Sequence, residues 1–232
     1  MTLSLSTPAA TPYEWSRVLA RGPEAQSFLQ GQLSQDVTDV GTTAVWSLLL
    51  SPTSVVVSTV LVARDTEGFT LTVPRELSST VYERLRRFLL RTACELTVED
   101  SVDGPFQTVD EQVAGAYAGA REFEKDLTPQ SFGPTFVASM VSFTKGCFTG
   151  QELVARLDAR ASSVPWRLVQ CAGPSLDAME RALTSLGPEG PKGVTTAVQT
   201  QDGVLGLGFV HRSALVDGAL ADFDEVRVTP VA

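Results

Sequence analysis

Between Asp39 and Arg64 the chain carries no charged residue, and that gap limits what the sequence around it can fold into. A stretch of this kind is either a membrane span or the buried centre of a sheet. A span takes roughly 20 predominantly apolar residues. Here Pro52 sits in the middle, Ser or Thr occupies positions 42, 43, 47, 51, 53, 54, 58 and 59, and β-branched residues fill much of the rest. That is strand composition. The expectation is two buried strands, 43–50 and 55–63, joined by a turn at Ser51-Pro52-Thr53-Ser54, in a soluble protein without membrane attachment.

The flanks predict partners for these strands. Gly22-Pro23-Glu24 suits a helix start, because proline fits a first turn and a carboxylate suits the positive end of the helix dipole. Ala25, Phe28, Leu29 and Leu33 then share one face, which predicts a helix over 23–33. Residues 68–73 read as a third strand, and Pro74 opens an amphipathic helix with the stripe Leu77, Val81, Leu85, Phe88 and Leu89. Arg84, Arg86, Arg87 and Arg91 back that stripe and read as a solvated face. Residues 94–98 alternate as a half-buried strand, so the order predicts an α+β fold with a mainly antiparallel sheet. From 101 to 130 the pattern weakens: 107–111 reads as a strand, 113–119 as small and apolar, and 121–126 as a charged turn. After Pro165, residues 166–171, 193–201, 204–211 and 226–231 read as short strands, with a helix over 175–186. Their breaks at Gly, Pro and Asp suggest a small barrel or sandwich. The expected division is an α+β region over 1–164, of one or two interleaved subdomains, and a barrel-like domain over 165–232.

Composition narrows the function classes. Lys and Arg number 18 against 27 Asp and Glu, a net charge of −9, so the surface as a whole repels phosphate backbones and a direct nucleic-acid grip is disfavoured. The single histidine, His211, sits at a predicted strand end and reads as structural. Cysteines stand alone at 94, 147 and 171, without metal-ligand spacing. An odd, dispersed set reads as reduced and intracellular, and too few for a self-contained iron–sulfur cluster, which usually takes four thiolates. Residues 1–10 have no basic and apolar signal pattern, so a cytoplasmic location is expected.

The most specific segment runs from Phe143 to Asp158, Phe-Thr-Lys-Gly-Cys-Phe-Thr-Gly-Gln-Glu-Leu-Val-Ala-Arg-Leu-Asp. Residues 139–143 read as extended, Gly146 and Gly150 as a tight turn with close backbone approach, and 151–157 as a helix start. Cys147 follows Lys145 by two residues and precedes the helix, a setting that favours a thiolate. On spacing alone it reads equally as a small buried cysteine between glycines. Glu152, in the first helical turn, is placed to accept hydrogen bonds from a ligand's amino and ring N–H groups.

The octapeptide Lys145-Gly-Cys-Phe-Thr-Gly-Gln-Glu152 resembles the K-G-C-[YF]-x-G-Q-E signature of the YgfZ-type folate-binding proteins, relatives of the glycine-cleavage aminomethyltransferase. The agreement extends into Val154-Ala-Arg-Leu-Asp158 and the stretch 164–168. A second block, Phe28-Leu-Gln-Gly-Gln-Leu-Ser-Gln-Asp-Val37, is similar to that family's N-terminal element, and Leu127-Thr-Pro sits where the family has its turn before the signature. The resemblance implies an aminomethyltransferase-like fold, α+β domains around a pocket for tetrahydrofolate with a C-terminal small β-barrel. It also implies a role in assembly, maintenance or repair of iron–sulfur enzymes, including those that modify tRNA, which would be its protein partners. Residue by residue, it carries the family's functional cysteine and lysine onto Cys147 and Lys145, and folate contacts onto Gly146, Phe148, Gln151, Glu152 and Arg156. From Lys145 to Arg167 four basic residues face two acidic ones, a local balance that suits the carboxylates of a folate tail.

Three departures stand out. Phe148 replaces the usual tyrosine and loses a hydroxyl, Arg160-Ala161 replaces the common Arg-Gly, and the chain is shorter than full-length members. The alternative implied by the wider resemblance is an aminomethyltransferase, which needs a carboxylate in the strand after the first turn. Residues 54–60 offer none, and the next acid is Asp65.

Overall fold

The computed structural model describes residues 12–41, 43–158, 164–215 and 225–231. The first ten residues and the pair Arg160-Ala161 lie outside these described residues. In chain order the elements are β1 (Trp15–Arg21), α1 (Ala25–Gln32), β2 (Val45–Leu50), β3 (Val56–Arg64), β4 (Gly68–Pro74), α2 (Ser78–Arg86), β5 (Glu95–Val102), α3 (Val109–Ala114), α4 (Ala120–Phe123), α5 (Pro134–Met140), α6 (Gln151–Asp158), β6 (Trp166–Gly173), α7 (Leu176–Ser185), β7 (Gly193–Thr200), β8 (Gly203–His211) and β9 (Arg227–Pro230). The described residues build two compact units, one from within 14–105 and 135–158, the other from 12–13, 106–134, 164–215 and 225–231. Neither unit is one continuous segment. Among the described residues no helix is long and apolar enough to cross a membrane.

The uncharged stretch becomes β2 and β3, paired antiparallel with Val45 opposite Val62 and Trp46 opposite Leu61. They belong to a five-stranded sheet in the order β2-β3-β4-β1-β5, antiparallel throughout. Val18, Val60, Val62, Leu71 and Val73 from the sheet meet Phe28, Leu29, Val81 and Leu85 from α1 and α2 in one buried cluster. This burial is what holds so short a helix as α1, since an isolated helix of its length is marginal in water. β1 escaped the sequence pattern because Ser16 is buried between Trp15 and Val18, and Arg17 and Arg21 break the apolar run. It nonetheless bridges β4 and β5.

Two expectations about helices change. The strand expected over 107–111 is the start of α3, because Thr108 Oγ1 accepts from the Glu111 amide at 3.2 Å and Glu111 Oε2 accepts from the Gln107 amide at 2.7 Å. A Thr-x-x-Glu start of this kind favours helix over strand. Residues 134–140, just ahead of the signature, form α5, so the extended reading of 139–143 fails in its first two positions.

In the second unit β6, β7, β8 and β9 form an antiparallel sheet in the order β7-β8-β6-β9. The expected barrel is not closed: among the described residues no pairing joins β7 to β9. Met179, Ala182 and Leu183 of α7 pack on this sheet with Val169, Cys171 and Val210. Glu122, expected in a charged turn, is fully buried in α4, where it accepts hydrogen bonds from the Gly119 amide at 2.9 Å and the Thr196 hydroxyl at 2.8 Å.

Candidate functional site

An α-helix leaves its last four carbonyls without internal donors, and α1 has no basic residue in its last turn. The donors come from the signature. Lys145 Nζ donates to Gln30 O and Leu33 O, each at 2.7 Å, and to Gln35 O at 3.0 Å. The Thr149 amide donates to Gly31 O at 3.1 Å. An ammonium has three N–H groups, so Lys145 has none left for Cys147. Its side chain lies against the Phe148 ring, 5.2 Å from Nζ to the centroid, and the residue is only 7% exposed. Burial pulls the ammonium down from 10.5 to about 8, and the nearby Asp36 charge works the other way.

The 28–37 block is arranged around this contact. Asp36 Oδ1 accepts from the Thr38 hydroxyl at 2.5 Å, the Thr38 amide at 2.9 Å and Gln30 Nε2 at 3.1 Å. Those hydrogen bonds, the Thr38 hydroxyl first, hold the carboxyl below its ordinary value. Ser34 Oγ donates to Met140 O at 2.6 Å and accepts from the Leu48 amide at 2.8 Å, while the Ser142 amide donates to Ser34 O at 3.0 Å. The two motif blocks, far apart in sequence, are therefore in direct contact.

The 51–54 turn closes the third side. Ser54, at φ 63, donates from Oγ to Gly150 O at 2.5 Å. Gly150 has φ +84, and a Cβ there would lie 2.7 Å from Ser51 O, so only glycine fits without movement. Gly146 is different: a Cβ would meet nothing within 4 Å. The close approach expected of both glycines belongs to Gly150 alone.

These ties sort the predicted site residues. Lys145 and Phe148 are buried, Gly146 and Cys147 are exposed, and Gln151 is half-buried at the start of α6. Glu152 and Arg156 are exposed and pair with each other at 2.5 Å, one helical turn apart. Cys147 is thus set outward. Cys94 is half-buried, and Cys171 is buried with its thiol pushed up to about 12 by burial first and the Glu180 charge second.

Arg84 and Gln32 were missed in the sequence as site residues. Instead of a solvated face, Arg84 is half-buried, lies over the Phe88 ring at 4.2 Å and donates from Nη2 to Leu50 O at 3.2 Å. Gln32 ends α1, one residue before the Leu33–Leu49 bridge. Arg84 Nη1 and Gln32 Oε1 are both buried with no hydrogen-bond partner among the described residues. The available signal was positional: Arg84 directly precedes Leu85 and follows Val81 by three, on the flank of the apolar stripe. A groove of about 640 Å³ in the other unit, lined by Gly173, Asp202, Glu225 and Arg227 among others, contains none of these residues.

No protein-family model and no curated protein sequence matches the chain. Among solved structures, it is similar to glycine cleavage system aminomethyltransferase T from Bartonella henselae, with a TM-score of 0.60 and 14% identity. That likeness covers 90% of this chain and 79% of the other. The chain therefore has an aminomethyltransferase-like fold, and at this identity the likeness concerns fold alone.

Proposed function

We propose that the chain binds tetrahydrofolate where the end of α1, the 51–54 turn and the 145–150 loop meet. In this reading it serves iron–sulfur enzymes, including tRNA-modifying ones, as an accessory protein with Cys147 as its functional thiol. The observation that carries the reading is the meeting of the two motif blocks, with Lys145 and Thr149 tied to α1 and Cys147 left exposed. The site carries this function, since a fold by itself hosts more than one activity.

Two buried groups beside the end of α1 and the end of β2 suit a pterin in kind. Arg84 Nη1 is a donor without an acceptor and Gln32 Oε1 an acceptor without a donor, matching the carbonyl and adjacent N–H of a pterin lactam edge. Arg84 and Gln32 would hold that edge, and Arg156 would meet the glutamyl carboxylates on releasing Glu152. When bound, the folate supplies a one-carbon carrier. The chain's own part is to bind and orient it and to keep the thiol of Cys147 accessible.

The transferase alternative lacks its carboxylate. β3 carries Ser58 and Thr59 as its buried polar residues, with Ser58 Oγ donating to Thr59 O at 2.7 Å. Asp65, the first acid, is held by Arg21 at 2.9 Å and by the Glu67 and Gly68 amides. Nothing there is free to orient or deprotonate an amine.

Calorimetry with tetrahydrofolate tests the ligand. Saturable heat is expected with the wild-type chain, weakened roughly tenfold in R84M and in Q32L and retained in C147A; absence of heat in the wild type would end the folate reading. C147A is expected not to restore iron–sulfur enzyme activity to a deletion strain, and full restoration would remove the thiol from the function. Turnover with an aminomethyl donor would put the transferase first.

A further inference from the structure

We propose that the signature loop is the C-terminal cap of α1, supplied from elsewhere in the chain, and that Lys145 is a positioning residue which fixes Cys147 outward by holding that cap. The importance given to Cys147 rests on the functional reading above; the capping geometry does not.

Four observations converge. First, the end of α1 has carbonyls to satisfy and no basic residue of its own in its last turn to do so. A cation at that end also complements the helix dipole, and Lys145 brings one to Gln30 O and Leu33 O at 2.7 Å. Second, the ammonium is fully used. Its three N–H groups meet Gln30 O in the last turn of α1, Leu33 O at the C-cap and Gln35 O two residues beyond it, and the Thr149 amide takes the Gly31 carbonyl. A neutral amine would have only two N–H groups for the same three oxygens.

Third, Lys145 is a poor candidate for acid–base work on a substrate. A catalytic acid needs its proton within reach of the reacting group, whereas these N–H groups all face backbone carbonyls and the residue is 7% exposed. Fourth, the loop is tied on both sides of the thiol. The Ser142 amide bonds Ser34 O at 3.0 Å before it and the Thr149 amide bonds Gly31 O after it, with Gly150 wedged against Ser51. Lys145 and Phe148 point into the core, so Gly146 and Cys147 are left as the exposed apex.

The test is amide hydrogen exchange on the full chain, read at Leu33, Ser142 and Thr149. In K145M these amides should exchange roughly tenfold faster or more, the usual scale for losing hydrogen bonds from a charged donor, while the β3 and β4 amides keep their wild-type rates. K145R, which keeps a cationic donor, should restore most of the protection. A nitroxide on Cys147 should show a narrower, more mobile spectrum in K145M than in the wild type. Unchanged exchange at the three amides, faster exchange spread evenly over the sheet, or an unchanged nitroxide spectrum would overturn the proposal. Should K145M not fold, the wild type still decides: Ser142 and Thr149 should open together with Leu33, and independent opening would contradict a shared cap. None of these readouts involves folate, so a failed calorimetric titration would leave them standing.

Discussion

Each unit buries an ionisable side chain, and the two are accommodated by opposite means. Lys145 is surrounded by backbone carbonyls, with the Asp36 charge nearby. Glu122 is surrounded by donors: the Gly119 amide at 2.9 Å, the Thr196 hydroxyl at 2.8 Å, the Thr195 hydroxyl, and Gln112 Nε2 at 3.5 Å. No basic side chain bonds it among the described residues. Thr195 has one hydroxyl proton, yet Leu207 O also lies 3.0 Å from its oxygen. A protonated Glu122 resolves that conflict, because its own O–H can go to Thr195 while Thr195 donates to Leu207. Burial pushes the Glu122 carboxyl up, with the hydrogen bonds from Thr195, Gly119 and Thr196 opposing it. The difference teaches that a carboxyl can use its own proton as the missing donor, while an ammonium must retain all of its protons to serve three oxygens.

The comparison can be broken by substitution. E122A should cost the most, about 3 kcal/mol by urea unfolding, because it strands several buried donors at once. E122Q keeps the shape and an acceptor oxygen and should cost well under half of that. Equal losses would mean that an amide of the same shape cannot stand in for the carboxyl, and would contradict a protonated Glu122. K145M should cost about 2 kcal/mol, since the three carbonyls lose their donors while the burial penalty of the charge disappears with them. A K145M chain as stable as the wild type would deny the cap any energetic role.

Opposite pH slopes sharpen the contrast. The folded-state value of Glu122 is raised, so the stability it contributes is complete below the ordinary carboxyl value of 4.5 and is lost as pH rises through the folded value. Burial lowers the folded-state value of Lys145 to about 8, so the burial cost of its charge weighs fully on stability below about 8 and is relieved as pH rises through 8 toward 10.5. Urea midpoints followed across pH should lose the declining component in E122Q and the alkaline gain in K145M. A wild-type profile in both variants would assign the pH dependence to other groups. Within the loop, G150A should cost about 1.5 kcal/mol for its positive φ and its contact with Ser51, and G146A, facing open space, less than about 0.5 kcal/mol. Equal effects would contradict the assignment of Gly146 to an open apex.

Much of the first unit was legible because charge and burial exclude each other so strongly. The uncharged stretch had to be β2 and β3, and the stripe of Ala25, Phe28, Leu29 and Leu33 had to be a buried helix face. Cys147 and Lys145 were found as a pair, but the job of Lys145 was not, since the carbonyls it serves are 110 to 115 residues away. Charge misled in the same way at Glu122 and Arg84, where a charged run suggested solvent and hydrogen-bond partners on other elements made burial affordable. The barrel was over-read because the strand pattern fixes how many strands form and leaves open whether the outer two pair.

The most direct test of the account is nitrogen NMR of the lysine side chains in the wild-type chain, which contains lysine only at 125, 145 and 192. The Lys145 ammonium is expected to give a slowly exchanging signal, absent in K145R, with couplings across hydrogen bonds to the carbonyl carbons of Gln30, Leu33 and Gln35. A Lys145 signal in rapid exchange with water, without those couplings, would contradict it.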